Sequence, residues 1–84
     1  MYEVFLEAHA ERDLRRLSPR EFGQITAAIR RLAVNPRPAR CRKIVGSESD
    51  WRIRVGEYRV IYEIDDRAGA VRVMRVRHRR EAYR

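Results

Sequence analysis

Trp51-Arg52-Ile53-Arg54-Val55-Gly56-Glu57-Tyr58-Arg59-Val60-Ile61-Tyr62-Glu63-Ile64 alternates apolar and polar side chains on both sides of a Gly-Glu pair. A period of two is that of a strand buried on one face. Trp51, Ile53 and Val55 alternate with Arg52 and Arg54, and Tyr58, Val60, Tyr62 and Ile64 alternate with Arg59, Ile61 and Glu63. Only two residues separate the runs, with glycine first, the signature of a type II′ hairpin. So short a loop fixes the register: Val55 faces Tyr58, Arg54 faces Arg59 and Ile53 faces Val60. Arg54 and Arg59 therefore stand directly opposite on one face, with Arg52 two residues along it. Like charges opposed across a sheet are unfavourable unless an anion is supplied. The other face, Trp51 to Val60, is apolar enough to pack on helices, which leaves the Arg face open and attractive to phosphate. The plain alternative is a solvated outer face whose cations are partly compensated by Glu57 and Glu63.

Working outward from the hairpin, the N-terminal half changes period. Tyr2, Val4 and Leu6 alternate with Glu3, Phe5 and Glu7 as a first strand. From Ala8 to Leu17, Ala10, Leu14 and Leu17 recur by four and three, the spacing of an amphipathic helix. Ser18-Pro19-Arg20-Glu21 then starts a second helix, with Ser18 as cap, Pro19 at the first helical position and Glu21 closing a capping box. Phe22, Ile25, Ile29 and Leu32 stripe this helix down to Asn35-Pro36, where Pro36 and Pro38 stop it. After Pro38 the chain is sheet: a short strand within Arg40–Val45, a turn at Gly46-Ser47-Glu48-Ser49, the hairpin, a turn at Asp65–Ala70 and a last strand over Val71–Arg77. The expected fold class is α+β, a single domain over residues 1–84 with a two-helix hairpin against a sheet.

Composition narrows what such a domain does. The chain has 84 residues, too few for a two-domain enzyme or a deep cofactor cleft. Net charge is +8, with Lys43 the one lysine and all other basic residues Arg. The charge is regional: residues 1–36 carry six basic and five acidic groups, residues 37–84 fourteen and seven. A GC-rich genome explains much of a preference for Arg over Lys but not this asymmetry, which points to nucleic acid first and an acidic protein second. Cys41 alone forms no internal disulfide and no thiolate zinc cage. His9 and His78 lie at opposite ends of the sequence, and Asp65-Asp66 reads as turn chemistry, so neither a metal nor a cofactor is expected. No apolar run approaches the ~20 residues of a membrane span, and the acidic N-terminus lacks the form of a signal peptide; a cytoplasmic location with no membrane partner is expected. At the C-terminus, Arg77-His78-Arg79-Arg80-Glu81-Ala82-Tyr83-Arg84 is either a basic tail or a site, since His78 and Tyr83 are side chains able to exchange a proton beside cations.

Four segments together resemble the RelE toxins of the RelE/ParE superfamily: Leu6-Glu7-Ala8-His9-Ala10-Glu11-Arg12-Asp13-Leu14, Asn35-Pro36, the hairpin Trp51–Ile64, and His78-Arg79-Arg80-Glu81-Ala82-Tyr83. The hairpin block is the specific part. The resemblance implies a small twisted, mainly antiparallel sheet with the N-terminal helical hairpin on one face. It also implies a toxin that enters the ribosomal A site and cuts messenger RNA through the RNA's own 2′-hydroxyl, without metal. Such a toxin is held silent by an acidic, RelB-like antitoxin, and operator DNA is met only through that antitoxin. Carried over residue by residue, Arg52 and Arg54 fall where the family often has lysines, Arg59 on its phosphate-binding arginine and Tyr83 on its C-terminal tyrosine. The second catalytic arginine falls on Arg79 or Arg77 according to the direction of counting, with Arg79 preferred. Arg77, His78 and Arg80 join Arg52, Arg54 and Arg59 as expected RNA contacts. Because arginine does not exchange protons, acid and base work is left to Tyr83 or His78. The other reading is a ParE-like toxin, which shares the fold and binds DNA gyrase without cutting RNA.

Overall fold

The computed structural model describes residues 1–81 and orders the chain as β1 (Glu3–Leu6), α1 (Ala8–Arg15), α2 (Pro19–Arg31), β2 (Arg42–Lys43), β3 (Asp50–Val55), β4 (Tyr58–Asp65) and β5 (Ala70–His78). The strands form one sheet in the order β1-β5-β4-β3-β2. Only the β1–β5 pair is parallel; the other pairs are antiparallel. This is the α+β fold expected from the sequence.

The hairpin is in the register that its loop dictates, with Val55 opposite Tyr58, Arg54 opposite Arg59 and Ile53 opposite Val60. Gly56 has φ +58 while Glu57 after it does not have a positive φ, the combination of a type II′ turn. At the start of α2 the capping box is complete: Ser18 Oγ accepts from the Glu21 amide at 3.2 Å, and Glu21 accepts from the Ser18 amide at 3.2 Å. Helix α1 stops two residues short of the expected Leu17. Its last residues tighten into i→i+3 bonds, Arg16 N to Asp13 O and Leu17 N to Leu14 O, which bring the chain round to Ser18. The strand expected over Arg40–Val45 is cut to Arg42–Lys43, because Gly46 at φ +90 turns the chain away after two pairings and leaves Val45 in solvent.

Both helices lie on one face of the sheet, α1 against β5 and α2 against β3. Ala10, Leu14, Ile25, Ile29 and Leu32 meet Ile53, Val60, Tyr62, Ile64, Val71, Val73 and Val76 in a single core. Phe22, placed by its spacing in the α2 stripe, is 46% exposed at the helix start, where the sheet has ended. The Tyr62 hydroxyl donates to the Pro36 carbonyl at 2.7 Å, tying β4 to the end of the helical hairpin, and burial raises its pKa. Trp51 is half-buried at the rim of this core, with the Arg37 guanidinium 5.1 Å from its ring centroid. Arg37 also forms a two-pronged ion pair with Asp66 (2.8 and 3.2 Å), and the Tyr2 hydroxyl donates to the same carboxylate at 2.6 Å. These hydrogen bonds hold the Asp66 carboxyl down at about 2. Among the described residues, no helix is long and apolar enough to cross a membrane.

Candidate nucleic-acid interface

The face away from the helices can be laid out by register. In an antiparallel sheet, residues directly opposite share a face. One row across it reads Arg54, Arg59, Arg77, on β3, β4 and β5. The adjacent row reads Arg42, Arg52, Ile61, Arg75, on β2 to β5. The next reads Asp50, Glu63, Arg72, two carboxylates to one guanidinium, with Arg72 meeting Glu63 at 3.0 Å. The open face thus divides into a cationic half toward the hairpin turn, in which Arg75 alone of its row is paired with a carboxylate of α1, Asp13 at 3.0 Å, and a half with no excess of cations toward the other end of β4.

A cavity of about 460 Å³ opens on the cationic half, lined by Ala39, Arg40, Arg42, Arg52, Ile53, Arg54 and Arg59. Its size lies within the range of small-ligand clefts, but five guanidinium groups in its wall suit an anion rather than an apolar ligand. Arg59 departs from the exposed position expected of it. It sits on the central strand between Arg54 and Arg77 and is only 7% exposed, so its stem is part of the packing as well as its charge part of the site. Nε of Arg77 is buried without a hydrogen bond among the described residues, and Glu81 Oε2, at 3.9 Å, is beyond hydrogen-bond range.

The structure separates the other expected site residues. Arg52, Arg54, Arg59 and Arg77 share the open face. Arg79 does not join them: it lies past the end of β5, its amide donating to the Glu57 carbonyl at 2.8 Å and its guanidinium 3.5 Å from the Glu57 carboxylate, beside the hairpin turn. His78 follows Arg77 and so points to the opposite face, edge-on to Tyr58 at 5.3 Å between ring centroids; its Nδ1 accepts from the Arg80 amide. The Tyr58 hydroxyl is held neutral to higher pH chiefly by burial. Arg80 is exposed in the closing turn, and Tyr83 lies outside the described residues. Arg40 and Arg42 were missed as site residues. Their two-residue spacing beside a strand was the available signal, since it sets both on one face. Among the described residues, no three His, Cys, Asp or Glu side chains gather as a metal site would require.

A family model described as the ParE toxin of the type II toxin–antitoxin system parDE matches residues 4–83. The toxin RelG of Mycobacterium tuberculosis is 36% identical over an alignment covering 99% of this chain and 97% of that protein. The chain belongs to the RelE/ParE superfamily of toxins. Among solved structures, the toxin–antitoxin complex RelBE2 of Mycobacterium tuberculosis matches with a TM-score of 0.82 at 29% identity, covering 92% of this chain and 96% of that one. The isolated E. coli RelE toxin matches with a TM-score of 0.81 at 21% identity, covering 99% and 96%, a likeness of fold.

Proposed function

We propose that this toxin is a ribosome-dependent endoribonuclease that cleaves messenger RNA in the A site, with the RNA 2′-hydroxyl as nucleophile. The observation that carries the reading is the row Arg54–Arg59–Arg77 bordering an arginine-lined cleft on the open face. Attack by the 2′-hydroxyl builds negative charge on the phosphorane, and preorganised cations lower that barrier most when they are fixed before reaction. Arg59 and Arg77, side by side and partly shielded from water, hold the scissile phosphate. Arg52 and Arg54 carry the flanking charge, and Arg40 and Arg42 bind the continuing strand. These guanidinium groups stay protonated and move no proton. With His78 on the opposite face, Tyr83 is the base proposed for the 2′-hydroxyl; as the 2′-oxygen bonds to phosphorus the bond from phosphorus to the 5′-oxygen breaks, leaving a 2′,3′-cyclic phosphate, and the departing 5′-oxygen takes a proton from water. A domain of this size offers little to orient a free strand, so the ribosome supplies the positioning.

An acidic antitoxin of the RelB kind is the proposed partner, as in the complex named RelBE2. The second reading is the ParE-like one, binding of DNA gyrase without RNA cleavage, and the match to the ParE family model is what favours it. Brief induction of the protein alone, with mapping of messenger RNA ends, separates the two. Cuts inside reading frames, and only in translated messages, support the ribonuclease; intact transcripts with double-strand DNA breaks overturn it in favour of gyrase.

A further inference from the structure

Strand β5 changes phase in its middle. Tyr62 pairs with Val73 but its neighbour Ile61 pairs with Arg75, so Met74 is an extra residue, a β-bulge with no partner on β4. Beyond it lie Val76, opposite Val60 in the core, and Arg77, opposite Arg59 on the open face. A bulge breaks the ladder locally, and it is here that the outer edge of β5 also loses its cover: β1 pairs as far as Leu6 with Val73 and stops. The half-strand that carries Arg77 therefore hangs on β4 alone on its inner side. On its outer side Asp13 of α1 supplies the polar contacts. Asp13 accepts the Val76 amide at 2.9 Å and the Arg75 guanidinium Nε at 3.0 Å, and its side chain is only 12% exposed.

We propose that Asp13 is a positioning residue: it clamps the half of β5 beyond the bulge and so fixes Arg77 beside Arg59. The clamp is specific in its chemistry. A buried strand amide at a sheet edge needs an acceptor, and a carboxylate that also engages Arg75 offers one held from two directions. Because α1 is anchored in the core through Ala10 and Leu14, the carboxylate transmits the position of the helix to the strand. This inference rests on the reading of Arg77 as part of the phosphate-binding row.

The test combines amide hydrogen exchange by NMR with growth arrest on induction. Asp13→Ala should speed exchange at Val76 and Arg77 roughly tenfold or more relative to Val71 and Val73, the scale expected for loss of one tethering hydrogen bond, and weaken growth arrest with it. Asp13→Asn keeps an acceptor for the Val76 amide and should stay near wild type in both. Deleting Met74 in the Asp13→Ala background makes the ladder regular, and should restore both protection and arrest; a residue acting only through overall stability would not be bypassed in this way. If Asp13→Ala does not fold, Asp13→Glu, which displaces the carboxylate by one methylene, is read in the same manner. Exchange that rises uniformly along β5, or no rescue on deleting Met74, overturns the proposal. Local loosening with undiminished growth arrest upholds the clamp and overturns the role of Arg77.

Discussion

At the residue scale, the site is a problem of like charges. Arg54, Arg59 and Arg77 lie side by side across three strands, an arrangement that costs stability in isolation and is eased by an anion on the face. On the proposed ribonuclease reading, the cation that acts beside Arg59 is the one in register with it, Arg77. Arg77→Ala should lower messenger RNA cleavage by ~10²–10³, as removal of a preorganised transition-state contact does, while Arg79→Ala should leave it near wild type, since Arg79 is bound to Glu57 at the hairpin turn. Cleavage assayed in a translation extract decides: equal losses for the two variants, or a loss for Arg79→Ala alone, would place the second arginine elsewhere. Arg59 calls for a variant that keeps its buried stem, such as Arg59→Met, because alanine would remove packing together with charge. The pairing of Arg54 with Arg59 was legible from two residues, Gly56 and Glu57, whose loop length leaves one register. The separation of Arg77 from Arg79 was not, because the two share a parity and only the end of β5 at His78 divides them; nor was the bulge at Met74, which carries no glycine or proline to mark it and which reverses the face of every later residue of the strand. The same reversal hid the fact that His78 faces Tyr58 rather than the arginines.

At the scale of elements, local rules were reliable where two of them agreed. The capping box at Ser18 set the start of α2, which is as read, whereas the helix ends at Arg31, short of Asn35-Pro36, because Leu32, Ala33 and Val34 tighten into i→i+3 bonds to Ile29, Arg30 and Arg31. The tie between elements was less visible. Tyr2, Asp66, Arg37 and Trp51 come from the residue before β1, the β4–β5 turn, the segment after α2 and β3, and nothing local in the sequence announces that they meet. Asp65-Asp66 was read as turn chemistry. Asp65 performs it, accepting from the Ala68 amide, but Asp66 joins the ends of the sheet to the loop that bears Arg40. Its depressed pKa has a definite sign in stability. A carboxyl held at about 2, against an ordinary 3.8, contributes stability that is full above 3.8 and is lost as pH falls toward 2. Thermal melts should therefore fall between these values, and Asp66→Asn should flatten that part of the profile while lowering the plateau above it. An unchanged acid slope in Asp66→Asn would show that other carboxylates carry it. For Trp51, half-buried and capped by Arg37, truncation to alanine falls below the ~3–5 kcal/mol of a fully enclosed aromatic.

At the scale of the molecule, charge and fold are divided between the two faces of one sheet. The helices neutralise and cover one side, with residues 1–36 nearly balanced in charge, while the excess of Arg in residues 37–84 gathers where no helix lies. Such a molecule draws any polyanion or acidic segment toward one face from a distance, and its field extends over a Debye length of ~8–10 Å at ordinary ionic strength. An inhibitor that uses this face must offer carboxylates to Arg52, Arg54 and Arg59, with apolar residues for the helices or a sheet edge, and on the proposed ribonuclease reading its bulk would also bar entry to the ribosome. Steering of this kind acts on the association rate more than on the lifetime of the complex. Stopped-flow mixing with the cognate antitoxin should give an association rate that falls by roughly tenfold or more between low and high salt, with dissociation changing far less. The double substitution Arg52→Gln, Arg54→Gln should flatten that salt dependence without preventing binding, because the apolar contacts remain. If the wild-type rate is indifferent to salt, the arginine face has no part in inhibition, and the antitoxin must silence the toxin from its other side.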